Sequence, residues 1–151
     1  MRKITPEYKE KLASQWAYVC EKEAKESKEK CTSPELIYNI CADLKTKKKE
    51  HFYCLTLNSM YELIKKHKIA EGIANQCLVH PREVFYPAIK DNAIAIIVVH
   101  NHPSGAITPS GADDEITTRL KEASKILGIE LLDHIIIGNG YYSYADNGRL
   151  V

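Results

Sequence analysis

At 151 residues, with 44% hydrophobic and 27% charged side chains, the chain has enough apolar material for one buried core and too little length for two. A net charge of +1 by itself predicts no polyanion partner, although the charge is polarised: residues 1–68 hold 15 Lys and Arg against 10 Asp and Glu, and residues 69–151 hold 6 against 10. No stretch approaches the roughly 20 apolar residues that span a bilayer, and the start Met1-Arg2-Lys3-Ile4-Thr5-Pro6 has no apolar signal-peptide core.

From Pro6 to about Lys30 the residues are helix formers, and Tyr8, Leu12, Trp16, Val19 and Cys20 trace an apolar stripe at helical spacing. Ser33-Pro34 then reads as an N-cap and first turn, and Ile37, Ile40, Cys41 and Leu44 carry a second helix. Phe52–Leu57 is strand-like, Asn58-Ser59 turn-like, and Glu62–Ile73 supplies the hairpin partner, ending at Gly72. A helix follows from Pro81 to about Lys90. The five cysteines, Cys20, Cys31, Cys41, Cys54 and Cys77, form no C-x-x-C pair and read as small buried hydrophobes. Reduced thiols suit a cytoplasmic location.

Ala93-Ile94-Ala95-Ile96-Ile97-Val98-Val99 is short, apolar and β-branched, as expected of a strand buried on both faces. His100 and His102 stand at its end, two residues apart, so their imidazoles leave the strand on one side. Pro103, Gly105 and Pro109 then block both helix and ladder. A helix opens at Gly111, runs to Leu127 and stops at Gly128, with Asp113 in its first turn able to face the histidines. Two imidazoles and one carboxylate leave a fourth tetrahedral position for water, the arrangement of a catalytic zinc. Two strands, around Leu131–Ile137 and Tyr141–Tyr144, complete an α/β sandwich with a mixed sheet.

His100-x-His102, seven residues, Ser110, two residues and Asp113 resembles the JAMM motif of the JAB/MPN metalloprotease family. His100-Asn101-His102-Pro103-Ser104-Gly105, Leu132-Asp133-His134-Ile135-Ile136-Ile137-Gly138 and His80-Pro81-Arg82-Glu83-Val84-Phe85 resemble its bacterial RadC branch. Asn101 stands where eukaryotic members have Ser or Thr, as is usual in the RadC branch. The resemblance implies a cytidine-deaminase-like/MPN three-layer sandwich over residues 50–151, preceded by N-terminal helices in an extension over 1–49. It also implies the short YeeS-like form, without the helix-hairpin-helix region of longer RadC-like proteins.

For the site, the resemblance implies one Zn2+ per chain on His100, His102 and Asp113. It implies a general base at the start of the first strand, for which Glu50 is the candidate. Glu50 takes the proton of a zinc-activated water, and Ser110 supplies the donor for the oxyanion. Glu83 is the rival base, but a carboxylate in the first turn of a helix is explained by the helix dipole alone. Ser110-x-x-Asp113 read by itself is a capping box. His134, at the start of an apolar strand, reads as a hydrogen-bonded structural or supporting His rather than a fourth ligand, and neither it nor Asp133 is given a catalytic role.

Two functions follow. The first is a zinc-dependent peptidase or isopeptidase acting on a peptide or isopeptide-linked protein. The second, taken from the historical naming of RadC, is a DNA-associated repair accessory protein. The lysines at 45, 47–49, 65, 66 and 68 could meet nucleic acid, but no stacking pattern or Arg cluster accompanies them. A homo-oligomer through the Trp16 stripe stays open.

Overall fold

The computed structural model describes residues 10, 11, 13–15, 29–72 and 79–150. The Tyr8-to-Cys20 stripe and Cys77 lie outside them. In chain order the elements are helix α1 (Pro34–Ile40), a 3-10 turn (Ala42–Thr46), β1 (Glu50–Leu57), β2 (Leu63–Gly72) and α2 (Pro81–Lys90). β3 (Ala95–Asn101), α3 (Gly111–Leu127), β4 (Glu130–Gly138) and β5 (Gly140–Ser143) follow. One five-stranded sheet has the order β2-β1-β3-β4-β5. Among the described residues only β3 and β4 run parallel, joined across α3, and the other pairs are antiparallel. The chain is therefore an α/β protein with a mixed sheet.

β3 lies in the middle of the sheet with all seven residues buried, which is why it reads as a continuous apolar run rather than an alternating one. Its two faces feed two cores. Ile96 and Val98, with Phe52 and Cys54 of β1, pack under α2 and α3 against Val84, Phe85, Ala88 and Leu120. Ala95, Ile97 and Val99, with Leu55 and Leu57, pack on the other side against Ile37, Cys41 and Leu44. The second core brings α1 and the 3-10 turn onto the sheet, so part of the segment expected as an extension over 1–49 supplies the third layer. Each fully buried Leu, Ile or Phe contributes about 1.5–3 kcal/mol relative to exposure, which binds the helices to both faces.

The thiols of Cys31, Cys41 and Cys54 are buried and free. Burial pushes Cys41 and Cys54 up to about 12 and Cys31 to about 11, so they behave as core hydrophobes. Among the described residues no helix is long and apolar enough to cross a membrane.

Candidate metal centre

Strand alternation sends His100 to the face covered by α3, together with Ile96 and Val98. β3 ends at Asn101, and the chain turns through a loop anchored by His102 N–H donating to Ile137 O at 2.9 Å. Gly105 adopts φ +81° in that loop, and a Cβ there would lie 2.7 Å from the Asn139 side chain. Gly138 meets the loop from β4: a Cβ on it would fall 2.4 Å from Gly105 O.

Asp113 arrives from the opposite direction, in the first turn of α3. Ser110 caps this helix in a capping box: Asp113 N–H donates to Ser110 Oγ at 3.2 Å, and Ser110 N–H donates to Asp113 Oδ2 at 2.7 Å. The Ser110 hydroxyl also donates to Oδ2 at 2.7 Å. Capping and carboxylate placement are therefore one device, since the bonds that close the helix also hold the Asp113 side chain toward the histidines.

The three groups converge. His100 Nε2 lies 3.0 Å from His102 Nε2 and 3.0 Å from Asp113 Oδ1, while His102 Nε2 lies 3.4 Å from Oδ2. His100 is fully buried and Asp113 nearly so, whereas the His102 side chain is 16% exposed, so the centre opens on the His102 side.

The far nitrogens of both rings are engaged. His102 Nδ1 lies 3.0 Å from Ala106 O, a pure acceptor, so Nδ1 carries the proton and Nε2 presents a lone pair. For His100 the same result follows through a chain. The Thr117 hydroxyl donates to Asp113 O at 2.6 Å, which leaves Oγ1 to accept from His134 Nδ1 at 2.6 Å. His134 Nε2 is then an acceptor, 2.8 Å from His100 Nδ1. Burial holds the pKa of His134 well below the usual imidazole range, which keeps it neutral in that role. Two lone pairs and a carboxylate thus face one point with no donor among them, and a cation satisfies all three. His100, His102 and Asp113 could hold a metal ion, and the donor set of two imidazoles with one carboxylate suits zinc.

Without a metal, a proton serves instead. Its hydrogen bond to Asp113 raises the pKa of His102, and the nearby Glu50 charge adds to the effect. Burial acts to raise the Asp113 pKa, but in the metal-free, protonated state the hydrogen bonds that His100 and His102 then donate outweigh it and hold the carboxyl far below its usual range.

His134 reaches this chain through a β-bulge. The register runs Ile96↔Leu131, then Ile97↔Asp133, so Leu132 is an extra residue in β4. Without it His134 would face the α1 side; with it, His134 joins His100 under α3. Asp133 seals the bulge, its Oδ1 accepting from His134 N–H at 2.7 Å and Ala145 N–H at 2.9 Å, and its Oδ2 from the Ser143 hydroxyl at 2.6 Å. The sequence reads His134 as a structural or supporting His, and the structure adds the bulge that turns it to His100.

Glu50 opens β1, half-buried. Phe52 pairs with His100 and stacks on its ring with centroids 5.8 Å apart, and the charge of Glu50, two residues before it, reaches His102. By alternation it shares the histidines' face. Glu83 sits on the first turn of α2 with its side chain 58% exposed, paired with Arg82 Nε at 2.9 Å, and neither glutamate is one of the three converging groups.

Comparison with known proteins adds an independent line. Residues 31–149 match the family described as the RadC-like JAB domain. The chain belongs to this family. Among curated relatives, the UPF0758 protein of Trichlorobacter lovleyi is 47% identical over 127 residues, which is 83% of this chain and 55% of the relative. That of Geobacter sulfurreducens is 47% identical over 124 residues, 81% of this chain and 54% of the relative. That of Staphylococcus haemolyticus is 50% identical over 115 residues, 76% and 50%. The RadC-like chain thus spans about half the length of the curated relatives it matches. The match begins at residue 31, and so takes in the α1 segment that packs on the sheet.

Proposed function

We propose that this RadC-like domain is a zinc-dependent hydrolase of amide or isopeptide bonds. The observation that carries the reading is the convergence of His100 Nε2, His102 Nε2 and the Asp113 carboxylate, 3.0–3.4 Å from one another. When bound there, zinc supplies a Lewis acid that acidifies a water and polarises a carbonyl.

The remaining chemistry belongs to the chain. Glu50 accepts the proton of the attacking water as its oxygen adds to the carbonyl carbon. The exposed Ser110 hydroxyl turns its one O–H from Asp113 Oδ2 to donate to the oxygen on which negative charge develops, while Ser110 N–H keeps its bond to Asp113. Glu50 then returns the proton to the departing nitrogen, the C–N bond breaks, and the second proton of the water passes from the acid product to the amine, leaving a carboxylate and an ammonium. Phe52, buried and stacked on the fully buried His100, keeps the inner side of the centre dry, so water and substrate approach past His102.

Glu50→Gln tests the assignment, because the amide keeps the shape of the side chain but cannot take a proton. With zinc bound and an isopeptide-linked ubiquitin dimer as probe, the reading expects full metal content and a rate loss on the order of 10² or more. A Glu50→Gln protein that cleaves the probe as fast as wild type would overturn the role of Glu50. Probe cleavage that persists after zinc is removed by chelation would overturn the hydrolase reading.

A further inference from the structure

Asn101 stands between the two histidines, yet the chemistry above does not use it. Alternation turns its side chain to the face opposite His100 and His102, where it is 2% exposed. There its amide bonds the backbone on both sides of Glu50. Oδ1 accepts from His51 N–H at 2.8 Å, and Nδ2 donates to Lys49 O at 3.0 Å and to Lys47 O at 3.5 Å.

These contacts lie where the sheet stops supporting β1. Glu50 and His51 pair with β2 through Gly72 and Glu71, but regular pairing of β1 with β3 begins only at Phe52↔His100. On the β3 side, one side chain replaces the ladder. A planar amide offers an acceptor and two donor hydrogens together without charge; aspartate has no donor, and serine has one. The residue that joins the two metal-ligating histidines is thereby tied to the start of the strand that carries Glu50.

We propose that Asn101 is a positioning residue for Glu50, a clamp that holds the backbone before and after it so that the carboxylate stays over the metal centre. The inference rests on Glu50 acting as the base. Displacement of a reacting group by about 1 Å can cost on the order of 10² in rate, so a clamp without contact to substrate has a kinetic effect.

The test compares the full chain as wild type, Asn101→Ala, Glu50→Gln and the double variant. Amide hydrogen exchange at His51 and zinc affinity, from competition with a chromogenic chelator, are read without turnover. Cleavage of the ubiquitin dimer is read with zinc bound. Asn101→Ala should speed exchange at His51 roughly 10-fold or more and leave zinc affinity within about threefold, since all three ligands remain. It should lower kcat roughly 10- to 100-fold with KM nearly unchanged, and the double variant should be no slower than Glu50→Gln alone. Unchanged exchange at His51 would overturn the clamp, as would zinc loss comparable to that of His102→Ala. An inactive Glu50→Gln beside a fully active Asn101→Ala would overturn the clamp alone. A fully active Glu50→Gln would instead overturn the base assignment beneath it, whatever the exchange data show.

Discussion

His134→Leu removes a side chain that is fully buried between His100 and Thr117 and binds no metal itself. Leucine fills much of the same space, and the Thr117 hydroxyl keeps its bond to Asp113 O. The group left without a partner is His100 Nδ1–H. An unpaired buried donor costs about 1–3 kcal/mol, and His100 escapes the cost by moving its proton to Nε2, where it blocks the metal. Loss of such a supporting partner typically weakens metal affinity 10- to 100-fold, about 1.4–2.8 kcal/mol. The assay is zinc competition with a chelator of known affinity, paired with melting curves of the metal-free protein. His134→Gln, whose amide oxygen can accept from His100 Nδ1–H, should recover part of the affinity. If His134→Leu lowers the melting temperature of the metal-free chain but leaves zinc affinity intact, the proton chain from Thr117 to His100 does not govern the centre and the reasoning fails.

Three further outcomes are expected. Ser110→Ala should cost about 1 kcal/mol of stability as a lost cap, and if the hydroxyl also serves the oxyanion, on the order of 10² to 10³ in kcat; a shifted melting curve with unchanged kcat would confine Ser110 to capping. The elevated pKa of His102 contributes stability to the metal-free chain that is present below about pH 6.5 and lost as pH rises through the folded value, while the depressed Asp113 adds stability lost on acidification. Metal-free stability should therefore peak on the acidic side of neutrality, and zinc affinity should begin to fall at a higher pH than for an ordinary imidazole, both readable from melting and competition curves across pH 4–9. Gly138→Ala would drive a Cβ against Gly105 O and Ala106 O, so it should destabilise the fold by about 1–3 kcal/mol and weaken zinc binding by displacing the ligand loop; normal zinc affinity would show that the loop yields without moving His102.

The sequence was most legible where local chemistry is strong. Helix α3 begins after the Ser110 cap and ends before Gly128, and α2 begins at Pro81, all readable from capping residues. β3 stood out because a strand buried on both faces is continuously apolar. The bulge in β4 was hidden: Leu131–Ile137 is apolar on both sides of the adjacent Asp133-His134 pair, so no alternation marks the extra residue that turns His134 toward His100. The partners of His134 lie 17 and 34 residues away, and the Asn101–His51 bond spans 50. No local pattern encodes such contacts. Glu50 was readable only through resemblance, for a lone glutamate before a strand has no periodicity of its own. Residues 31–49 read as part of an extension because the motifs that carry the resemblance lie beyond Glu50, and the sheet face that receives Ile37, Cys41 and Leu44 is formed only in the fold.

Diffraction from a zinc-soaked crystal of the wild-type chain, recorded on both sides of the zinc absorption edge, tests the central claim most directly. The account predicts one anomalous peak per chain, about 2.0–2.2 Å from His100 Nε2, His102 Nε2 and an Asp113 carboxylate oxygen. An empty centre at saturating zinc, or a peak bound by other side chains, would contradict it.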